Sequence, residues 1–308
     1  MLAHQQYKLL CLIGWVLISP IAYGALQSPI IEGAVPTSND EEDMEQIEEP
    51  SKTTVQKPPK STSWFLGGGV LQTHLRDASN PSTPLKGESK GGSGFVGYQF
   101  TPRFSAYFTF IRTVLKEKAC NNSFSVKAAN ASIAGALSYQ ITHWLNIELG
   151  QRYMRGKFTM TTPGAINEKA STNISGSISN LGLKMKLLTQ HHVGFFPEIK
   201  FYHMRNTNGS YNDNNGILQP TSSPRLNQVT LGSRVIFNKY AAYITPYVHA
   251  NYMRTLYRKG LSVRSNEGYG GGVGMFLFSG LLNIDWTTNR LYGSITTHSW
   301  HAGLNIRL

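Results

Sequence analysis

The sequence predicts an all-β protein, a transmembrane antiparallel β-barrel of about twelve strands, with ten or eight as the smaller alternatives. Three observations carry this expectation. From Ser63 to Leu308 apolar and polar residues alternate, which is the period of strands and not of helices. The alternating segments are joined by connections that are long and short in turn. Ahead of them stands an N-terminal segment with the order of a secretion signal.

Composition excludes the other large classes. Of 308 residues only 15% are charged, 30 are Gly and 11% are aromatic, which does not suit a charged coiled coil. Mean hydropathy is −0.25, and beyond the N-terminal segment no run of 18 apolar residues occurs, so a helical membrane bundle is excluded. Net charge is split by region. Residues 25–62 carry 3 Lys against 8 Asp or Glu, whereas residues 63–308 carry 25 Lys or Arg against 9 acids, a net +16. These cations are spread through alternating segments and form no cluster of the kind that binds nucleic acid, so none is expected as a partner.

Residues 1–24 open with a weakly charged stretch containing Lys8, continue as an apolar run from Leu9 to Ile21 and end in Ala22, Tyr23 and Gly24. This is the layout of a secretory signal peptide; Pro20 and the short apolar run disfavour an uncleaved anchor. Processing would remove Cys11 and leave Cys120 alone, so no internal disulfide is expected. Residues 25–62 hold the acidic run Glu41 to Glu49 and then Pro50, Pro58 and Pro59 among Ser, Thr and Lys. They read as a disordered periplasmic linker. Two roles stay open for it, a solvated spacer or an acidic segment that enters a basic cavity.

Within residues 63–308 twelve candidate strands fall near 63–74, 92–101, 104–116, 125–141, 144–158, 172–188, 193–206, 225–238, 241–256, 267–279, 281–289 and 297–308. In the third, Phe104, Ala106, Phe108 and Phe110 share one face, opposite Ser105, Tyr107 and Thr109. In the sixth, Leu181, Leu183, Met185 and Leu187 lie opposite Asn180, Gly182, Lys184 and Lys186. Long connections are expected near 75–91, 117–124, 159–171, 207–224, 257–266 and 290–296, with tight turns at Pro102-Arg103, Thr142-His143, 190–192, 238–240 and Gly280. An apolar face and a polar face on every strand suit a barrel that turns the first to lipid and the second to a lumen, because only a closed sheet satisfies its backbone in a bilayer. A secreted sandwich, with the apolar faces hidden between two sheets, is the soluble alternative.

The polar faces supply the candidate site. Inward-facing charges are Arg152, Lys184, Lys186, Lys200, Arg234 and Arg307 with Glu148, Glu198 and Asp285, a net +3, and His249 lies on the same side. Glu148 with Arg152, four apart, and Glu198 with Lys200, two apart, have the spacing of local ion pairs, whereas Lys184, Lys186 and Arg234 have no such neighbour. Catalytic arrangements are not evident. His298 and Ser299 are adjacent and point to opposite faces; Ser299 and His301 share a face at a common spacing. No two acids of the barrel region adjoin, and His191-His192 lack further metal ligands. Neither Gly67-Gly68-Gly69 nor Gly270-Gly271-Gly272 leads into a helix that could cradle phosphate, and such runs permit curvature or close packing in a sheet. No enzymatic activity, cofactor or metal is therefore expected.

Three stretches carry a family resemblance. Trp300, Ala302, Leu304, Ile306 and Leu308 alternate with Ser299, His301, Gly303, Asn305 and Arg307, and this resembles the C-terminal targeting strand of outer-membrane barrels, which the barrel-assembly machinery reads; the usual final Phe is Leu308 here. Gly94-Phe95-Val96-Gly97-Tyr98-Gln99-Phe100 with Thr101-Pro102 resembles the opening hairpins of OmpA-like and opacity-porin-like barrels. Thr245-Pro246-Tyr247-Val248 and Ala302 to Arg307 are similar to late strands of autotransporter translocator barrels. The resemblance implies a protein of the Gram-negative outer membrane with that membrane's lipids and the assembly machinery as partners. Three functions follow as expectations: a passive porin whose basic lumen admits small anionic solutes, a non-conducting structural or surface-interaction barrel presenting the Asn-rich stretch 206–224, or an autotransporter-like translocator.

Overall fold

The computed structural model describes residues 63–78, 84–121, 125–162, 168–187, 193–212, 218–220, 225–237, 243–259 and 265–308. The signal peptide and linker expected over residues 1–62, and the His191-His192 pair, lie outside them. The strands are β1 (Ser63–Asp77), β2 (Leu85–Thr101), β3 (Phe104–Ala119), β4 (Ser125–Thr142), β5 (Leu145–Thr162), β6 (Glu168–Met185), β7 (Val193–Asn212), β8 (Leu218–Pro220), β9 (Arg225–Phe237), β10 (Ile244–Lys259), β11 (Glu267–Leu277), β12 (Leu282–Leu291) and β13 (Ile295–Arg307). No helix occurs among the described residues.

Every pairing among the described residues is antiparallel, and the barrel itself has no free edge. β6 pairs with β7 from Ser171↔Asn212 to Lys184↔Glu198. β1 pairs with β13 from Phe65↔Arg307 to Asp77↔Ile295 and closes the ring. Twelve strands form the barrel, while the three residues of β8 pair only with the far end of β7. Such closure leaves each of the twelve barrel strands bonded on both sides.

The two faces sort as the alternation requires. On β3, Phe108 and Phe110 point outward and are 63% and 50% exposed, while Ile111 and Leu115 on the inner side are buried. Val70, Ile133, Leu149, Val248, Val273 and Trp300 are likewise exposed and apolar on the outer side. Such a belt of bare aliphatic and aromatic surface suits hydrocarbon and not water. Rings border it at the end where the chain turns at Pro102-Arg103: Trp64 packs on Tyr98 at 4.9 Å, Tyr98 on Phe100 at 4.9 Å and Phe100 on Phe104 at 5.3 Å. At the other end Trp286 and Trp300 sit opposite each other with centroids 6.3 Å apart. Aromatic girdles at both interfaces are the mark of membrane barrels.

The strands are longer than their apolar stretches. β7 has 20 residues and β3 has 16, although about 9–11 tilted residues cross the hydrocarbon. On the outer face of β3 the apolar series stops at Phe110, and the exposed residues beyond it are Arg112, Lys116 and Lys118. The long connections expected from sequence are corrected accordingly. Residues 75–91 hold the end of β1 and the start of β2, joined over 78–84, and β7 continues to Asn212 through part of the Asn-rich stretch. Lys86, Glu88 and Lys90 occupy the outer face of β2 there, so the sheet continues where the apolar half of the pattern has ended. The connection expected over 290–296 is a tight turn: Tyr292 and Gly293 have φ of 52° and 76°, and the Ser294 amide donates to the Leu291 carbonyl at 3.2 Å. Two successive positive φ values are the I′ geometry that matches strand twist.

Phe108→Arg should destabilise the inserted barrel by about 2–4 kcal/mol if its position is near the bilayer midplane, whereas Thr109→Arg on the inner side should not produce that depth-dependent loss. Urea unfolding in lipid vesicles reads the difference, and equal effects would mean that the outward face of β3 is misassigned.

Candidate functional site: the inner wall

The ten charged and His residues selected from sequence all occupy inward positions of their strands or strand ends. Glu148 and Arg152 on β5, Lys200 on β7 and Asp285 on β12 are buried in the wall; Lys184, Glu198, Arg234 and His249 are half-buried. Lys186 follows the end of β6, where its amide donates to the Trp144 carbonyl at 2.8 Å. Arg307 lies at the exposed rim of β13, with Nε donating to Ser63 Oγ at 3.1 Å and Nη2 to Gln99 Oε1 at 3.0 Å.

Register decides which charges meet. Lys184 Nζ donates to Glu148 Oε2 at 2.9 Å, and the Tyr107 hydroxyl from β3 also bonds this carboxylate. The spacing of Glu148 and Arg152 on one strand suggested a local pair; the carboxylate is instead bonded by Lys184, because the β5–β6 register sets Asn146 opposite Lys184, one inward step from Glu148. Lys200 and Glu198, alternate residues of β7, are joined at 2.8 Å. The side of the wall formed by β5, β6 and β7 thus interleaves cations with acids.

A second polar group spans β10 and β12. The single Tyr247 hydroxyl proton is shared between Asp285 Oδ2 at 2.9 Å and Asn283 Oδ1 at 3.1 Å, and the Arg234 guanidinium lies 5.1 Å from the Tyr247 ring centre. His249 Nδ1 is 3.4 Å from Asp285 Oδ2, and its Nε2 is 3.3 Å from Thr287 Oγ1. The Thr287 hydroxyl already donates to Asp285 Oδ1 at 2.7 Å, so that proton is directed at the carboxylate and not at the imidazole. Ser299 Oγ lies 2.9 Å from Thr73 Oγ1 across the β1–β13 seam, and the two ring nitrogens of His301 have no hydrogen-bond partner. Among the described residues no cluster of His, Cys, Asp and Glu could hold a metal ion.

Glycines make room for these large side chains. Tyr247 and Asp285 are both cross-strand partners of Gly274, where an added Cβ would collide with the Tyr247 ring. Gly182 sits between Glu148 and Lys200, but an added Cβ would meet them at ordinary contact distances of 3.5 Å and 3.4 Å, so this position does not require a glycine. The glycine run of β11 therefore serves close approach of side chains to backbone. Tyr107, Tyr247 and Asn283 were not singled out from sequence, although inward parity and a directly opposite glycine, Gly97, Gly274 and Gly303 in turn, mark them once register is known.

Beyond the lipid band the inner wall changes character. Leu75, Leu85, Ile111, Leu115, Val126 and Ile295 are buried there. Tyr292, held in its positive-φ turn, reaches inward, and its hydroxyl accepts a bond from Gln228 Nε2 at 2.7 Å. Glu117 is embedded in this apolar wall, seven residues past Phe110, and neither of its carboxyl oxygens has a hydrogen-bond partner. Burial, with the nearby charge of Asp77 adding to it, pushes the Glu117 carboxyl up to about 8.

Comparison with solved structures gives the architecture its relatives. The translocator domain of the autotransporter NalP from Neisseria meningitidis superposes with a TM-score of 0.63 at 11% identity, covering 94% of this chain and 98% of that one. The chain has the fold of outer-membrane translocator barrels. The β domain of the Bordetella autotransporter BrkA matches at TM-score 0.59 and 13% identity, over 79% of this chain and 98% of that one. The transport unit of AIDA-I from Escherichia coli matches at 0.53 and 11%, over 80% and 90%. No protein-family model and no curated protein matches the sequence.

Two outcomes are expected of the wall. Lys184→Met leaves Glu148 buried without its ammonium partner and should cost about 3–5 kcal/mol in urea unfolding, whereas Glu148→Gln combined with Lys184→Met should recover much of that loss. A double variant no better than the single one would mean the pair is not coupled. For Glu117, the folded barrel binds a proton more readily than the unfolded chain, whose carboxyl has the ordinary value of 4.5. Its contribution is therefore complete below about 4.5 and lost as pH rises through about 8. Stability should fall across this window, and Glu117→Gln should flatten the fall in unfolding midpoints measured at several pH values.

Proposed function

We propose that this barrel resides in the outer membrane, reached through secretion by the segment 1–24, and acts as a passive channel whose net-basic wall favours small anionic solutes. The observation that carries this reading is the composition of the inner wall at the depth of the lipid band. Arg152, Lys184, Lys200 and Arg234 there, with Lys186 and Arg307 at the adjoining rim, outnumber Glu148, Glu198 and Asp285, and the acids are engaged by Lys184, Lys200, Tyr247 and Thr287. The remaining positive potential would concentrate anions at the wall. No bond-making step belongs to this proposal: the Ser299 hydroxyl is turned to Thr73, and Thr287 is turned to Asp285. Outer-membrane lipids and the barrel-assembly machinery are its partners, the latter through the outward series Trp300, Ala302, Leu304 and Ile306 of β13 and the following Leu308.

A translocator role is the second reading, favoured by the likeness over nearly the whole length of both chains to the NalP translocator domain. The 38 residues between positions 25 and 62 would then be the segment led through or held at the barrel.

Purified barrel in a planar bilayer under a salt gradient separates these readings. A channel gives steady conductance with a reversal potential displaced toward the anion's, and Lys200→Glu with Arg234→Glu moves it toward the cation's. Absence of conductance, with an epitope inserted near residue 30 reachable by antibody on intact cells, would replace the channel by the translocator.

A further inference from the structure

The outer face holds a feature that transport does not use. Among the described residues, fourteen exposed Lys and Arg side chains point outward past the end of the apolar band, on nine of the twelve barrel strands, against Glu88 and Glu267 alone. Among the described residues the exposed cations of the opposite rim are two, Arg103 in a turn and Arg307 at the inner edge of β13. The imbalance is written into the sequence: residues 63–308 contain 9 acids, and Asp77, Glu117, Glu148, Glu198 and Asp285 are used on the inner side.

The register sharpens it. Arg76 is directly opposite Lys86, and Lys86 directly opposite Lys118, so three neighbouring strands present cations in one row. Across β12 and β13 the same row continues through Arg290 and Thr296 to Arg76. On the far side of the barrel Arg205 is directly opposite Arg225. Like charges facing each other across strands, with Cβ atoms about 4.5–5.5 Å apart, repel and destabilise the sheet unless something negative lies between them. Glu88, the one acid in the first sector, is bonded by Lys90 at 3.1 Å, which holds its carboxyl below the usual range.

We propose that this collar binds the phosphate-bearing headgroups of the lipid leaflet that surrounds the barrel at that end. Its form decides the occupant. A protein or nucleic acid docks on one side, whereas the cations here follow the circumference and begin where the apolar band stops. Trp286 and Trp300 mark that boundary on β12 and β13, two residues below the level of His298 and four below Thr296 in the β13 sequence. A leaflet of anionic headgroups meets all sides of the barrel at one height, and each Lys or Arg near such a surface contributes about a fivefold gain in affinity.

The test uses the full chain in phosphatidylcholine vesicles and reads quenching of Trp fluorescence by brominated lipids. Brominated phosphatidic acid is expected to quench about fivefold more effectively than its mole fraction predicts, with brominated phosphatidylcholine as the reference. The preference should shrink in about 0.5 M salt. It should also shrink in the variant carrying Arg76→Gln, Lys86→Gln and Lys118→Gln, whose heat-modifiable migration reports that it still folds. Inorganic phosphate should not abolish the preference; if it does, the collar takes free anions and the lipid assignment falls. Equal quenching by the two lipids in the unaltered protein overturns the proposal, as does a preference that persists at high salt. Should the triple variant fail to fold, Arg205→Gln with Arg225→Gln on the opposite side takes its place.

Discussion

The whole arrangement depends on one requirement, that a backbone placed in hydrocarbon must find all its hydrogen bonds within itself. Strands meet it only as a closed ring. Here the ring is completed by β1 lying along β13, with register running from Phe65↔Arg307 to Asp77↔Ile295. Once closure is imposed, side-chain period does the rest: alternate residues have no choice but lipid or lumen, and a shift of one position would invert every strand. The exposed Phe108 and the buried Lys200 are two results of the same constraint.

Charge is distributed by this geometry into two populations with different environments. Inside, cations and acids are interleaved, and Lys184 with Glu148 and Lys200 with Glu198 meet at 2.9 Å and 2.8 Å. Outside, the cations stand beyond the lipid band among few acids. The strong basic excess of residues 63–308 is thus mainly a property of the outer surface, and only a small part of it lines the wall. The wall in turn has two levels, a charged one beside the lipid band and an apolar one past it where Leu75, Ile111 and Leu115 are buried.

The barrel and its inward and outward faces were legible because period-two patterning is a local property. Ser179 to Leu187 and Phe104 to Phe110 each state their own faces without reference to a neighbour. Strand extent was less legible, since the apolar half of the signal ends with the hydrocarbon while the sheet continues, as Lys86, Glu88 and Lys90 on β2 show. Partners across strands were not legible at all. Glu148 was spaced for Arg152 but is bonded by Lys184, and Arg76, Lys86 and Lys118, separated in sequence, become neighbours only when three strands are set side by side. The tight turn at Tyr292 and Gly293 was hidden for a different reason, because a Tyr with positive φ is uncommon and gives no turn signal of its own.

The seam between β1 and β13 also dictates when the molecule can be finished. Hairpins such as β2–β3 join residues that are near neighbours along the chain, but Phe65 and Arg307 belong to opposite ends of it. A contact of such sequence separation is entropically the most demanding one available and is expected among the last to form. Until it does, β1 and β13 each present an unpaired row of amides and carbonyls, a template for any other strand. Completion of the barrel therefore waits for its final strand, and a chain stopped short of β13 would be left not as a narrower barrel but as an open sheet with two adhesive borders.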